Sequence, residues 1–95
     1  MNPAPDELAP SPLHRRDDLQ EQRVGDDLMV YDPVKRRVHI LNPTAAKIFH
    51  LSDGMHDLDS LERELRNTFE VSRERDLRSD ILAAIESLRE KGLLR

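Results

Sequence analysis

The stretch from 28 to 54, LMVYDPVKRRVHILNPTAAKIFHLSDG, leaves this chain few ways to fold, because it joins two short strands across a turn and runs straight into a capped helix. Leu28, Met29, Val30 and Tyr31 form a compact apolar run with one β-branched and one aromatic residue, which reads as a strand. Asp32 and Pro33 open a turn, since the proline ring presets φ for a central turn position. Residues 37–41, RVHIL, return as the next strand, so the pair predicts an antiparallel hairpin tipped by Lys35 and Arg36. Asn42 and Pro43 then start a helix. The Asn side chain can accept an orphan backbone N–H, and Pro needs none at the first helical position. Ala45, Ile48, Phe49 and Leu51 supply its packing face, and Ser52, Asp53 and Gly54 stop it.

On either side of this unit the signals are weaker. Residues 19–24, LQEQRV, predict a first strand, set off by Gly25, Asp26 and Asp27. Residues 1–18 carry four of the six prolines and few apolar side chains, too little buried surface to offset chain ordering, and read as a flexible arm ahead of a domain over 19–95. Downstream, Leu58, Leu61, Leu65 and Phe69 form one apolar stripe, with Asp57 as cap, predicting a second helix over 58–69. After a short turn at 70–72, Ser72 is placed to cap a third helix running to about Lys91, with the stripe Leu77, Ile81, Ala84, Ile85 and Leu88. Gly92 ends it, and Leu93 and Leu94 fold back. The outcome is an α+β chain, a three-stranded antiparallel sheet followed by three helices, in a winged helix-turn-helix outline.

Composition narrows the function classes. Ninety-five residues, 37% hydrophobic with three aromatics, suffice for one small domain and leave no room for a large catalytic cavity. The absence of cysteine excludes disulfides, thiolate metal sites and cysteine nucleophiles. No apolar run approaches the roughly 20 residues that span a bilayer, and the amino terminus lacks a signal peptide's basic-then-apolar order, so a soluble cytoplasmic protein without membrane association is expected. A net charge of -4 with 36% charged residues means that the two signs nearly cancel, which argues against general affinity for nucleic acid.

Catalytic chemistry finds little footing. Of His14, His39, His50 and His56, only His50 and His56, with Asp53 and Asp57, are near enough in sequence to suggest a metal or acid–base cluster, and such loop residues near a helix end are usually just solvated. The serines lack a nucleophile-elbow context, and the three glycines compose no phosphate-cradling loop. No enzyme activity, metal or cofactor is expected. Two features instead suit a binding role. Val38, Ile40 and Leu41 make the third strand apolar on both faces, and its open edge could accept a visiting backbone as a further antiparallel strand. On the third helix Leu82 falls outside the stripe and Ile85 at its margin, with Arg78 and Arg89 in the same sector as Leu82, a candidate groove with cationic rims.

At these residues the chain resembles the PqqD-like family, peptide-binding adaptors of ribosomally made, modified peptides, whose namesake serves pyrroloquinoline quinone biosynthesis. The resemblance spans residues 19–94. It rests on Tyr31, Asp32 and Pro33 before a basic hairpin, then Leu41, Asn42, Thr44 and Ala45 opening a helix, Asp53 and Gly54 closing it, and Leu88, Lys91, Gly92, Leu93 and Leu94 ending the domain. It implies three antiparallel strands followed by three helices. It also implies a function: a recognition element that binds a precursor peptide's leader as an added strand beside the third strand, in a groove against the third helix, and presents it to a modifying enzyme, for many members a radical S-adenosylmethionine protein. The backbone of Arg37, Val38, His39, Ile40 and Leu41 would pair with the leader. The helix positions, Arg78, Leu82, Ile85 and Arg89, come from the helical-wheel argument.

Two other readings use the same outline. A DNA-binding winged helix would set the third helix in the major groove and Lys35, Arg36 and Arg37 on phosphates, but Arg73, Arg75, Arg78, Arg89 and Lys91 are matched there by Glu74, Asp76, Asp80, Glu86 and Glu90. A structural module would use the open edge to pair with itself as a homodimer.

Overall fold

Period-two alternation of buried and half-buried side chains along the second strand orients the sheet. The computed structural model describes residues 13–95. In it β1 (Gln20–Val24), β2 (Asp27–Asp32) and β3 (Arg37–Leu41) form one antiparallel sheet in that order. The register sets Leu28 opposite Leu41, Val30 opposite His39 and Asp32 opposite Arg37, so these side chains share the face toward the helices. Leu28, Val30 and Leu41 are buried there. Met29, Tyr31, Val38 and Ile40 take the opposite face, where Val38 and Ile40 are each 55% exposed. Helices α1 (Pro43–Leu51), α2 (Leu58–Thr68) and α3 (Leu77–Glu90) follow, completing the α+β winged helix-turn-helix outline. Phe49 and Ile48 of α1, Leu61 and Leu65 of α2, and Ile81 and Leu88 of α3 meet in a core with no exposed atoms of consequence.

Each helix begins at a side-chain cap. Asn42 Oδ1 accepts from the Ala45 N–H at 2.8 Å, Asp57 Oδ1 from Ser60 at 2.8 Å and Asp76 Oδ1 from Ser79 at 3.1 Å. The third helix therefore starts at Leu77 and not after Ser72. The Ser72 hydroxyl accepts from the Glu74 N–H at 3.2 Å, a local turn that competes with helix, and Asp76 takes the capping role. The link between α2 and α3 is accordingly residues 69–76. At the other end of α3, Gly92 has φ 74° and donates to the Arg89 carbonyl at 2.9 Å, while Leu93 donates to Leu88 at 3.0 Å. This paired closure turns Leu93 and Leu94 into the core.

Residues 1–12 of the expected flexible arm lie outside the described residues. The rest of it does not behave as an arm. Leu13 is 2% exposed within the core, its carbonyl accepts from the Gly54 N–H at 2.7 Å, Arg15 donates to the Ser52 carbonyl at 2.7 Å and Arg16 to the Leu93 carbonyl at 3.1 Å. Arg15 Nη1 also donates to the His50 carbonyl at 2.9 Å, satisfying an orphan group at the end of α1. Composition hid this because one leucine and two arginines do the anchoring.

Arg16 meets Asp32 side on, Nη1 to Oδ2 at 2.7 Å and Nη2 to Oδ1 at 3.1 Å, and Nη1 reaches the Gly92 carbonyl at 3.1 Å. Asp32 Oδ1 also accepts from the Val34 and Lys35 amides at 3.0 and 3.2 Å, shaping the hairpin turn. The Arg16 guanidinium, helped by those amides, holds the Asp32 carboxyl at about 2, against an ordinary 3.8. A carboxyl lowered on folding stabilises the fold in full above its ordinary value and loses that contribution as pH falls toward its folded value. Thermal unfolding followed from pH 3.8 down to about 2 should show wild-type stability falling more steeply than that of Asp32→Asn, which should be the weaker variant at neutral pH; parallel curves would contradict the assignment. Arg36 closes the same turn with φ 57°, a left-handed conformation that strains a side chain. Arg36→Gly should raise stability by about 0.5–1 kcal/mol, seen as a higher unfolding midpoint in urea.

Candidate functional site

Among the described residues no strand lies beyond β3 in the sheet, so alternate N–H and C=O groups of residues 37–41 point outward. The other edge, β1, is exposed along its length, and although Glu21 reaches His50 of α1, no Cα of β1 comes within 8 Å of one in a helix, so no helix-walled groove runs beside it. β3 is different. It packs on α1, yet no Cα of β3 comes within 8 Å of one in α3. The space left between them is a groove of about 670 Å³. Its floor is Leu41, Leu65, Phe69, Val71 and Leu88, and its walls are Ile40 on one side and Ala83, Ala84 and Ser87 of α3 on the other. A second recess of about 360 Å³ continues it past Ser87 and Lys91, which line both, toward Lys35, Arg37 and His39. The groove thus has an apolar end and a cationic end.

Of the five β3 residues singled out in the sequence, Arg37, His39, Ile40 and Leu41 line the groove or its recess, and Val38 lines neither. Arg37, His39 and Leu41 face the helices, while Val38 and Ile40 face outward and Ile40 also edges the groove. The four helix residues line neither. Ile85 is 3% exposed, a core residue, and Arg78 pairs with Asp59 and Glu62 on α2. Leu82, 43% exposed, and Arg89 share Arg78's flank of α3, and neither lines the groove. At about 100° per residue, Asp80, Ala84, Ser87 and Lys91 occupy one side of α3 and the predicted four the opposite side. The wheel argument sought a large apolar residue off the stripe, whereas the wall consists of small residues that leave space for another backbone. The signal was present as Ala83, Ala84 and Ser87 at helical spacing between the charges Asp80 and Lys91.

The two ends differ electrostatically as well. At the apolar end Arg75 is already paired with Asp80 at 2.7 Å. At the cationic end Lys91 Nζ donates to Ser87 Oγ at 3.3 Å, and His39 Nε2 is buried with no hydrogen-bond partner. Burial, and then the charge of Lys91, hold the His39 imidazole below its ordinary value. The other histidines near acids are occupied: His50 Nε2 meets Glu21 at 2.7 Å, His56 Nδ1 meets Asp53 at 3.0 Å, and Asp57 caps α2. Among the described residues no three His, Asp or Glu side chains are grouped to hold a metal, and no helix is long and apolar enough to cross a membrane.

A winged-helix domain with one vacant sheet edge opening on a helix-lined groove is the class that this geometry defines. The sequence profile described as coenzyme PQQ synthesis protein D (PqqD) matches residues 27–94, and the chain belongs to that family. Among solved structures the fold is similar to one described as TbiB1 in complex with the TbiA(beta) leader peptide, with a TM-score of 0.71 at 15% identity, covering 86% of this chain and 94% of that one. No curated protein matches the chain in sequence.

A proton NMR titration should place the His39 midpoint below the ordinary imidazole value of about 6.5. Lys91→Ala should move it upward without restoring that value, because desolvation is the larger cause. A wild-type midpoint at or above the ordinary value would contradict the buried, unpartnered ring.

Proposed function

We propose that the protein is a non-catalytic adaptor that binds the leader of a ribosomally made precursor peptide by adding it as an antiparallel strand to β3, in the groove against α3. The observation that carries this reading is the open β3 edge with no Cα of α3 within 8 Å. An added strand would lie about 4.8 Å from β3, and its alternate side chains would drop between sheet and helix. The small wall residues Ala83, Ala84 and Ser87 suit such an approach. Support also comes from the solved structure of like fold, which itself holds a leader peptide.

Main-chain bonds worth about 0.5–1.5 kcal/mol each net, with two or three buried side chains at roughly 1.5–3 kcal/mol each, reach micromolar affinity after ordering costs. The bound leader would then be presented to a modifying enzyme, in this reading a cytoplasmic radical S-adenosylmethionine protein of the kind that the family resemblance implies. Nucleic-acid binding gains no support from α3 and the link before it, where Arg78 and Arg75 are already held by Asp59 and Glu62 and by Asp80. Self-pairing through β3 would compete for the same edge.

The test titrates fluorescently labelled amino-terminal segments of whatever short reading frames neighbour this gene, each as a trial leader. Ala83→Arg, at an exposed wall position, should weaken binding by about tenfold or more, while Leu82→Arg on the opposite flank should leave it within about twofold. Amide shifts of residues 37–41 that do not move at saturating leader would overturn the proposal.

A further inference from the structure

The recess at the amino-terminal end of β3 gathers positive charge from three elements. Arg37 comes from the strand and Lys91 from the end of α3. Lys35 arrives from the hairpin turn, its Nζ 3.0 Å from where a Cβ on Gly92 would stand. None of the three belongs to an ion pair among the described residues. Among the described residues Glu90 is the one carboxylate lining the recess. Inside it lies His39 Nε2, a buried polar atom with nothing to bond. In a chain of net charge -4, three cations with no ion pair among the described residues thus surround an unsatisfied nitrogen beside the β3 edge.

The register turns this into a sequence requirement. Side chains of an added strand that lie opposite Leu41, His39 and Arg37 all face α3, because alternate positions share a face. The position opposite Leu41 enters the apolar end of the groove, and the position opposite Arg37 enters the cationic recess. In an antiparallel strand the first of these comes earlier in the peptide.

Resting on the strand-addition reading above, we propose that the groove selects leaders with an aliphatic residue opposite Leu41 and an aspartate or glutamate four positions toward the leader's carboxyl terminus, opposite Arg37. The carboxylate sits among Arg37, Lys91 and Lys35 and offers His39 Nε2 an acceptor. The same polarity sets direction, since a strand laid parallel to β3 with this order of residues would bring its acid to the apolar end, where Asp80 already holds Arg75.

Selection from a random 12-residue display library against the full chain tests this directly. Wild type should enrich Asp or Glu four residues after Leu, Ile or Val. Lys91→Glu and the exposed-site variant Arg37→Glu should instead enrich Lys or Arg at the same spacing. Exchanging the acid for Lys in a selected peptide should weaken binding to wild type by about three- to tenfold and strengthen binding to the variants. Circular dichroism confirms that each variant is folded, and Arg37→Glu alone suffices if Lys91→Glu is not. Enriched peptides that shift the amides of residues 37–41 but show no charge preference would overturn this inference and leave strand addition standing. If no enriched peptide moves those amides, strand addition itself falls. A dimer closed through β3 that no selected peptide dissociates overturns both.

Discussion

The Asp32 carboxylate lies fully buried at the end of β2, where an ionised group is tolerated only if it is paired and hydrogen-bonded. It accepts four hydrogen bonds, two from Arg16 and one each from the Val34 and Lys35 amides. Three parts of the chain are thereby held at one point: the segment entering the domain, the hairpin turn and, through the Arg16 bond to the Gly92 carbonyl, the exit of α3. β3 departs from that turn and α3 ends at that glycine. The junction therefore controls how far apart the two walls of the groove stand. Its geometry matters more than any net energy of the ion pair.

The two flanks of α3 have different work. One is closed, with Arg78 tied to Asp59 and Glu62 so that α2 and α3 are held against each other. The other is lined by Ala83, Ala84 and Ser87 and faces the unpaired edge of β3. An exposed edge strand ordinarily needs protection from adventitious pairing. Here the charges of Arg36 and Arg37 stand at one end of β3, while Val38 and Ile40 remain exposed along it. A protected entrance and an open run suit an edge that accepts one kind of extended chain and discourages others.

What could be read in advance was local. Asn42, Asp57 and Gly92 act within one turn of where they sit, and β3 and α1 lie where those residues and the Asp32–Pro33 turn put them. Ser72 and Asp76 show where local reasoning fails, since both can cap and only competition between a turn and a helix decides. The entry of Leu13 into the core was hidden among prolines, because its hydrogen-bond partner Gly54 and the core residues it joins are remote in sequence. The helix face was misjudged for the same reason. Periodicity says that Leu82 is off the stripe but not what either flank of α3 confronts.

The sequence by itself thus determined the element types, the hairpin, the helix caps at Asn42 and Asp57 and the apolar edge strand at residues 37–41, all consequences of contacts between near neighbours. Only the tertiary structure decided which flank of α3 faces β3, that Arg16 closes on Asp32, and that Lys35, Arg37 and Lys91 converge on His39. Those arrangements depend on how the sheet and the helices rotate about their shared core, a degree of freedom that no short stretch of residues contains.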